Sequence, residues 1–121
     1  MEEIEVKFLN INKDGLEKKL AALGATKAGE YFYRRRVFDY PENKRTRWVK
    51  SGIEFDIDTW PELEPYLEIE AQSWEKVDEA IVWLSLNPED KKIFSTHQIY
   101  KLKGINELEY QRIAFDGLVK K

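Results

Sequence analysis

Residues 2–11 read as an alternating segment, with Glu3, Glu5 and Lys7 on one side and Ile4, Val6 and Phe8 on the other. Successive side chains of a strand point to opposite faces, so this period of two commits the segment to a half-buried strand with one charged face. Glu54-x-Asp56-x-Asp58, interleaved with Ile53, Phe55 and Ile57, repeats the pattern, and Glu68-x-Glu70, interleaved with Leu67 and Ile69, repeats it again. One such strand is an ordinary solvated sheet face. Three in a chain of 121 residues gather carboxylates on one side of a sheet, and the apolar side then needs a cover.

Two helices are expected to supply that cover. Asn12 or Asp14 caps the first, whose Leu16, Leu20 and Leu23 recur at helical spacing before Gly24 stops it. Ser73 caps the second, with Val77, Ala80, Ile81 and Leu84 on one stripe. Asn87-Pro88 is expected to open a third, and Gln98 to Gly104 a further short one. Tyr31 to Tyr40, rich in aromatics, reads as another strand, and Glu107 to Phe115 as either strand or coil.

Residues 44 to 59 read as a hairpin about Ser51-Gly52. Pairing Lys50 with Ile53 sets Trp48 opposite Phe55, Arg47 opposite Asp56 and Arg45 opposite Asp58, so that every pair matches in kind. Trp60 to Pro65 makes a rigid turn, and Tyr66 to Ala71 the next strand. The four tryptophans, Trp48, Trp60, Trp74 and Trp83, are expected in the core or at turns. The fold class that follows is α+β, an antiparallel sheet flanked by helices, in one domain over residues 1–121.

Composition narrows the chemistry. Without cysteine there is no disulfide and no thiolate ligand, so any metal is held by oxygen or by the single His97. Oxygen ligands favour a hard ion such as Mg²⁺ or Mn²⁺. His97 has no second histidine nearby and reads as a surface or capping residue. No apolar run approaches the roughly 20 residues that cross a bilayer, and Met1-Glu2-Glu3 lacks the layout of a signal peptide, so a cytoplasmic location without membrane contact is expected. The near balance of 20 basic against 23 acidic residues argues against generic nucleic-acid binding, as does the Arg34-Arg35-Arg36 run, which must split between two strand faces. Glycine-rich phosphate loops are absent from the sequence, which leaves phosphate binding to side chains. Lys7, Arg34, Arg36, Arg45 and Arg47 are the cations able to line the carboxylate face, where guanidinium groups grip phosphate oxygens in pairs. Carboxylates two apart on neighbouring strands are spaced to share one divalent ion, and such an ion neutralises phosphate oxygens.

Glu3-Ile4-Glu5-Val6-Lys7 resembles the N-terminal ExExK signature of the CYTH superfamily, the triphosphate tunnel metalloenzymes, among them class IV adenylate cyclases and thiamine and inorganic triphosphatases. Lys44 to Trp48, Gly52 to Pro61 and Leu67 to Glu70 resemble the family's closing hairpin and final Glu-x-Glu strand, and Ile99-Tyr100 with Gly104-Ile105 its C-terminal portion. The resemblance implies a tunnel of antiparallel strands. It further implies that Glu3, Glu5, Glu68 and Glu70 are the metal ligands and catalytic carboxylates, with Lys7, Lys44 and Arg45 as phosphate contacts and Arg34 and Arg36 near a basic family strand.

The chain departs from the family between Asn43 and Lys44, where it skips the central strands that bring further cations to the tunnel. A shortened tunnel leaves open edges, and edges of that kind pair with another chain. A two-fold homodimer that completes the tunnel is therefore expected, the alternative being a monomer with its helices folded across the gap. The function that follows is metal-dependent binding and hydrolysis of inorganic triphosphate, polyphosphate, thiamine triphosphate or a nucleoside triphosphate. The alternatives are a non-catalytic remnant that binds polyanion or metal or serves as a dimeric scaffold, and a cyclase acting on ATP.

Overall fold

The computed structural model describes residues 3–33, 43–93, 95–105, 110–115 and 117–120. Five strands, β1 (Ile4–Phe8), β2 (Thr26–Tyr33), β3 (Asn43–Lys50), β4 (Ile53–Thr59) and β5 (Tyr66–Ala71), form one antiparallel sheet in the order β1-β5-β4-β3-β2. Helices α1 (Lys13–Ala22) and α2 (Trp74–Trp83) cover it; α3 (Thr96–Leu102) and a two-stranded ribbon of β6 (Tyr110–Ala114) and β7 (Gly117–Lys120) follow. The class is α+β, as expected. Among the described residues the sheet is open and does not close into a tunnel.

Local signals account for the helix ends. The Asn12 side chain accepts from the Gly15 amide and caps α1, and the Ser73 hydroxyl accepts from the Lys76 amide and caps α2. Leu16 and Leu20 from α1 meet Val77, Ala80, Ile81 and Leu84 from α2 over Val6, Phe8, Trp48, Phe55, Ile57, Leu67 and Ile69 of the sheet. The apolar phase of every alternating strand is thereby buried, which leaves the charged phase on the other side.

The β3–β4 hairpin has the register read from its sequence, from Lys50↔Ile53 through Trp48↔Phe55 and Arg47↔Asp56 to Arg45↔Asp58. Ser51 and Gly52 both take positive φ, 52° and 77°, the left-handed pair that matches the twist of a two-residue hairpin. The strand placed at Tyr31 begins at Thr26, since pairing with β3 recruits residues of low strand preference; its expected continuation to Tyr40 lies outside the described residues. Asn87-Pro88 opens only a 3-10 turn, Pro88–Asp90. Glu107 to Phe115, left open between strand and coil, contains β6, and β7 carried no signal strong enough to be anticipated. Trp48 and Trp60 are buried, whereas Trp74, placed at the first turn of α2, is 45% exposed. No helix among the described residues is long and apolar enough to cross a membrane.

Candidate metal centre

Register stacks the charged side chains in rows across the sheet. Glu5 faces Glu70, which faces Glu54; Lys7 faces Glu68, which faces Asp56, which faces Arg47; Tyr66 faces Asp58, which faces Arg45. Two groups of carboxylates bring ligand oxygens within 4.8 Å of one another: Glu5, Glu68 and Glu70, and beside them Glu54, Asp56 and Glu70. Glu70 belongs to both. An all-oxygen set of this size fits Mg²⁺ or Mn²⁺, with water completing the shell.

The cations of the face are engaged by its carboxylates. Arg45 donates from Nε to Asp58 Oδ1 at 2.7 Å and from Nη2 to Oδ2 at 2.9 Å. It also lies 3.4 Å from Asp56 and 3.8 Å from Glu68. Arg47 makes the same two-armed contact with Asp56, at 2.8 and 3.1 Å, and reaches Glu54 at 3.7 Å. Lys7, itself buried, stands 3.8 Å from Glu68. Paired hydrogen bonds of this kind fix guanidinium orientation as well as charge.

Among the described residues seven carboxylates, Glu3, Glu5, Glu54, Asp56, Asp58, Glu68 and Glu70, share this face with three cations, Lys7, Arg45 and Arg47. The acidic excess shows in the titration of the group. A hydrogen bond with Glu3, then burial, then a hydrogen bond with Glu54 push the Glu70 carboxyl up to about 8. Burial pushes Glu68 up to about 7, with Asp58 and Glu5 adding to it and Lys7 and Arg45 opposing. Burial also raises Asp58 above the usual carboxylate range against the pull of Arg45, while hydrogen bonding to Asp58 holds the Arg45 guanidinium still more firmly in its charged form. The two-armed geometry is that of an ionised pair. Carboxyls whose affinity for protons is raised by burial and by neighbouring carboxyls are ones from which a divalent cation must displace protons.

Of the expected ligands, Glu5, Glu68 and Glu70 converge in one group, and Glu3 meets them through its hydrogen bond with Glu70. Lys7 and Arg45 lie on the same face. Lys44 does not: it is out of phase with Arg45, and its ammonium sits 4.7 Å from the Phe115 ring centre and 5.8 Å from that of Phe32. Arg34 and Arg36 lie outside the described residues, as does the side chain of His97. Glu54 and Asp56 form the second group with Glu70 and are further candidate ligands. Their alternation was legible, but that β4 lies beside β5, and hence Glu54 beside Glu70, was not. Gly29 makes room on this face, since a Cβ there would stand 2.7 Å from Tyr31 Oη, and the Tyr31 ring lies 5.9 Å from the Arg47 guanidinium.

Three buried side-chain atoms have no hydrogen-bond partner among the described residues: Asn43 Oδ1, Trp60 Nε1 and Trp48 Nε1. A buried polar atom left unpaired costs about 1–3 kcal/mol. Trp48 belongs to the apolar phase of β3, whereas Asn43 is in phase with Arg45 and Arg47.

No protein-family model matches the sequence, and no curated protein matches it. Solved structures that resemble the fold include two Pyrococcus proteins. The PH1012 protein from Pyrococcus horikoshii OT3 has a TM-score of 0.62 at 16% identity, covering 81% of this chain and 99% of that one. A conserved hypothetical protein from Pyrococcus furiosus has a TM-score of 0.62 at 15% identity, with the same coverage of 81% and 99%. At these identities the likeness is one of fold alone.

Proposed function

We propose that this protein binds a triphosphate-containing substrate together with Mg²⁺ or Mn²⁺ and hydrolyses it, as the CYTH-type triphosphate tunnel metalloenzymes do. The observation that supports this is the pair of carboxylate groups sharing Glu70, set on one sheet face beside Lys7, Arg45 and Arg47. Glu5, Glu68 and Glu70 hold the ion, with Glu3, Glu54 and Asp56 as near neighbours. A bound divalent ion supplies charge neutralisation at phosphate oxygens and a more acidic water. Lys7 and Arg45 meet the phosphates, and Arg45 does so by trading part of its contact with Asp58. Phosphoryl transfer is mostly positioning and charge stabilisation, so no covalent nucleophile is needed. Hydrolysis of inorganic, thiamine or nucleoside triphosphate asks only for water, whereas cyclisation of ATP also demands a seated ribose hydroxyl. A cytoplasmic setting and a two-fold homodimer built on the open sheet belong to the same reading.

The test is phosphate release from tripolyphosphate, thiamine triphosphate and ATP with Mg²⁺ or Mn²⁺, with Glu5→Gln as control. Turnover that is lost in the control is the expected result; absence of turnover with every substrate refutes catalysis. A second reading, a module that binds metal or polyanion without turnover, draws support from the engagement of Arg45 and Arg47 in two-armed contacts with Asp58 and Asp56. Tripolyphosphate binding by calorimetry with no phosphate release would favour it.

A further inference from the structure

Outside the five strands, the chain that follows α2 comes back along the edge of β1. Lys7 N donates to the Lys92 carbonyl at 2.8 Å, and Lys92 N donates to the Lys7 carbonyl at 2.9 Å, an antiparallel bridge with both bonds made. Residues opposed in this way send their side chains to the same face. Lys7 points to the charged face, so Lys92 points there too. The neighbouring Lys91 gives the same phase from the other side: its ammonium lies 5.0 Å from the ring centre of Trp74, on the helix that covers the apolar face. Lys92 is thus a fourth cation bordering the charged face, and it continues the row of Arg47, Asp56, Glu68 and Lys7 past the edge of the sheet.

These two ammonium groups are short of partners. Lys7 is 8% exposed, yet its side chain makes no hydrogen bond among the described residues, and the Glu68 carboxylate at 3.8 Å is beyond hydrogen-bond reach. The three donors of a lysine that is more than nine-tenths buried are therefore unspent. Lys92, half-buried, forms no ion pair among the described residues. Like charges on directly opposed positions repel, and the backbone bridge holds these two together all the same. Buried polar groups in native folds are bonded with few exceptions, and at an exception a water or an ion commonly completes the set.

Opposed side chains of a strand pair rise from Cβ atoms about 5 Å apart, a span from which two ammonium groups reach different oxygens of one tetrahedral anion. We propose that Lys7 and Lys92 form an anion subsite at the β1 edge that takes a phosphate-class dianion without a divalent metal. A dianion matches the two charges, and its oxygens accept the donors that Glu68 leaves unused. Lys7 stands between this subsite and Glu68, which shields the anion from the nearest carboxylate. Glu5 and Glu70 lie one row along the strands, about 7 Å away. The subsite does not rest on the triphosphate reading; one consequence does, namely that inorganic phosphate released by hydrolysis is held beside the metal carboxylates and competes with the next substrate.

The experiment titrates inorganic phosphate into the full chain by calorimetry, with a chelator present and ionic strength held constant with chloride. Saturable binding is expected, weakened about tenfold in Lys92→Met by the loss of one charge-assisted contact and largely kept in Lys92→Arg. Without phosphate, Lys92→Met is expected to melt at or above the temperature of the parent, because a repulsion is removed; with phosphate the parent gains more than the variant. Phosphate that fails to bind at millimolar concentration, binds only once Mn²⁺ is added, or binds Lys92→Met as tightly as the parent overturns the subsite. So does a Lys92→Met that melts lower than the parent without phosphate, which marks a structural lysine. Should the subsite fall while tripolyphosphate is turned over, the triphosphate reading stands; phosphate binding with no turnover of any triphosphate leaves the subsite and removes hydrolysis.

Discussion

Glu68 offers a direct measure of how strongly the fold holds its acidic face together. Buried, with its carboxyl raised from 4.5 to about 7, it binds a proton more tightly in the folded chain than in the unfolded one. The stability tied to this proton is therefore fully present below about pH 4.5 and is lost as pH rises through 7. At about 1.4 kcal/mol for each pH step between the two values, the loss amounts to about 3 kcal/mol by pH 8. Glu68→Gln keeps the shape, removes the proton equilibrium, and gives up the two ion pairs with Lys7 and Arg45, each 3.8 Å long and weak at that distance. The stability difference between variant and parent is expected to move by about 3 kcal/mol in the variant's favour between pH 4 and pH 8. Urea unfolding followed by tryptophan fluorescence, with a chelator present, reads it; at about 2 kcal/mol per molar urea the midpoints separate by about 1.5 M over that range. A difference that stays constant with pH, or that moves the other way, refutes the assignment of burial as the dominant force on Glu68.

Two further predictions concern the same face. Mn²⁺ or Mg²⁺ is expected to raise the melting temperature more at pH 8 than at pH 6, because binding must expel the protons that Glu70 and Glu68 hold up to about 8 and about 7; saturation at a hundredfold excess over the dissociation constant adds about 2.7 kcal/mol. Glu70→Gln, which removes the carboxylate common to both groups, abolishes that response in a thermal shift assay, and a response that persists shows that Glu70 is no ligand. Arg45→Met leaves Asp58, only 1% exposed, without its two-armed partner and is expected to cost about 3–5 kcal/mol, while Arg45→Met with Asp58→Leu recovers most of it. A double-mutant cycle by urea unfolding checks this, and additive losses would contradict it.

Much of what depends on neighbours a few residues away was legible in the chain itself, though the 3-10 turn at Pro88 and the β6–β7 ribbon were not. The caps at Asn12 and Ser73 follow from a side-chain oxygen within reach of nearby amides, and the α2 stripe from the pitch of the helix. The β3–β4 register follows from matching pairs about Ser51-Gly52, since a slip of one residue would turn Phe55 and Ile57 toward the charges. Period two also bears on Lys44, which the family resemblance set beside Arg45 but which strand parity turns to the other side.

Contacts between segments distant in the chain were decided only by the tertiary structure. No local rule places β5 between β1 and β4, yet that order joins Glu5, Glu54 and Glu70, brings like charges together, and raises the Glu70 carboxyl. Nor does any local rule tell whether Arg45 stays free for a ligand or spends its donors on Asp58, because that choice turns on how deeply Asp58 is buried. Alternation commits each strand to a charged face; what the face can hold depends on which strands lie side by side, and that is settled by the one packing of α1 and α2 that buries every apolar phase at once.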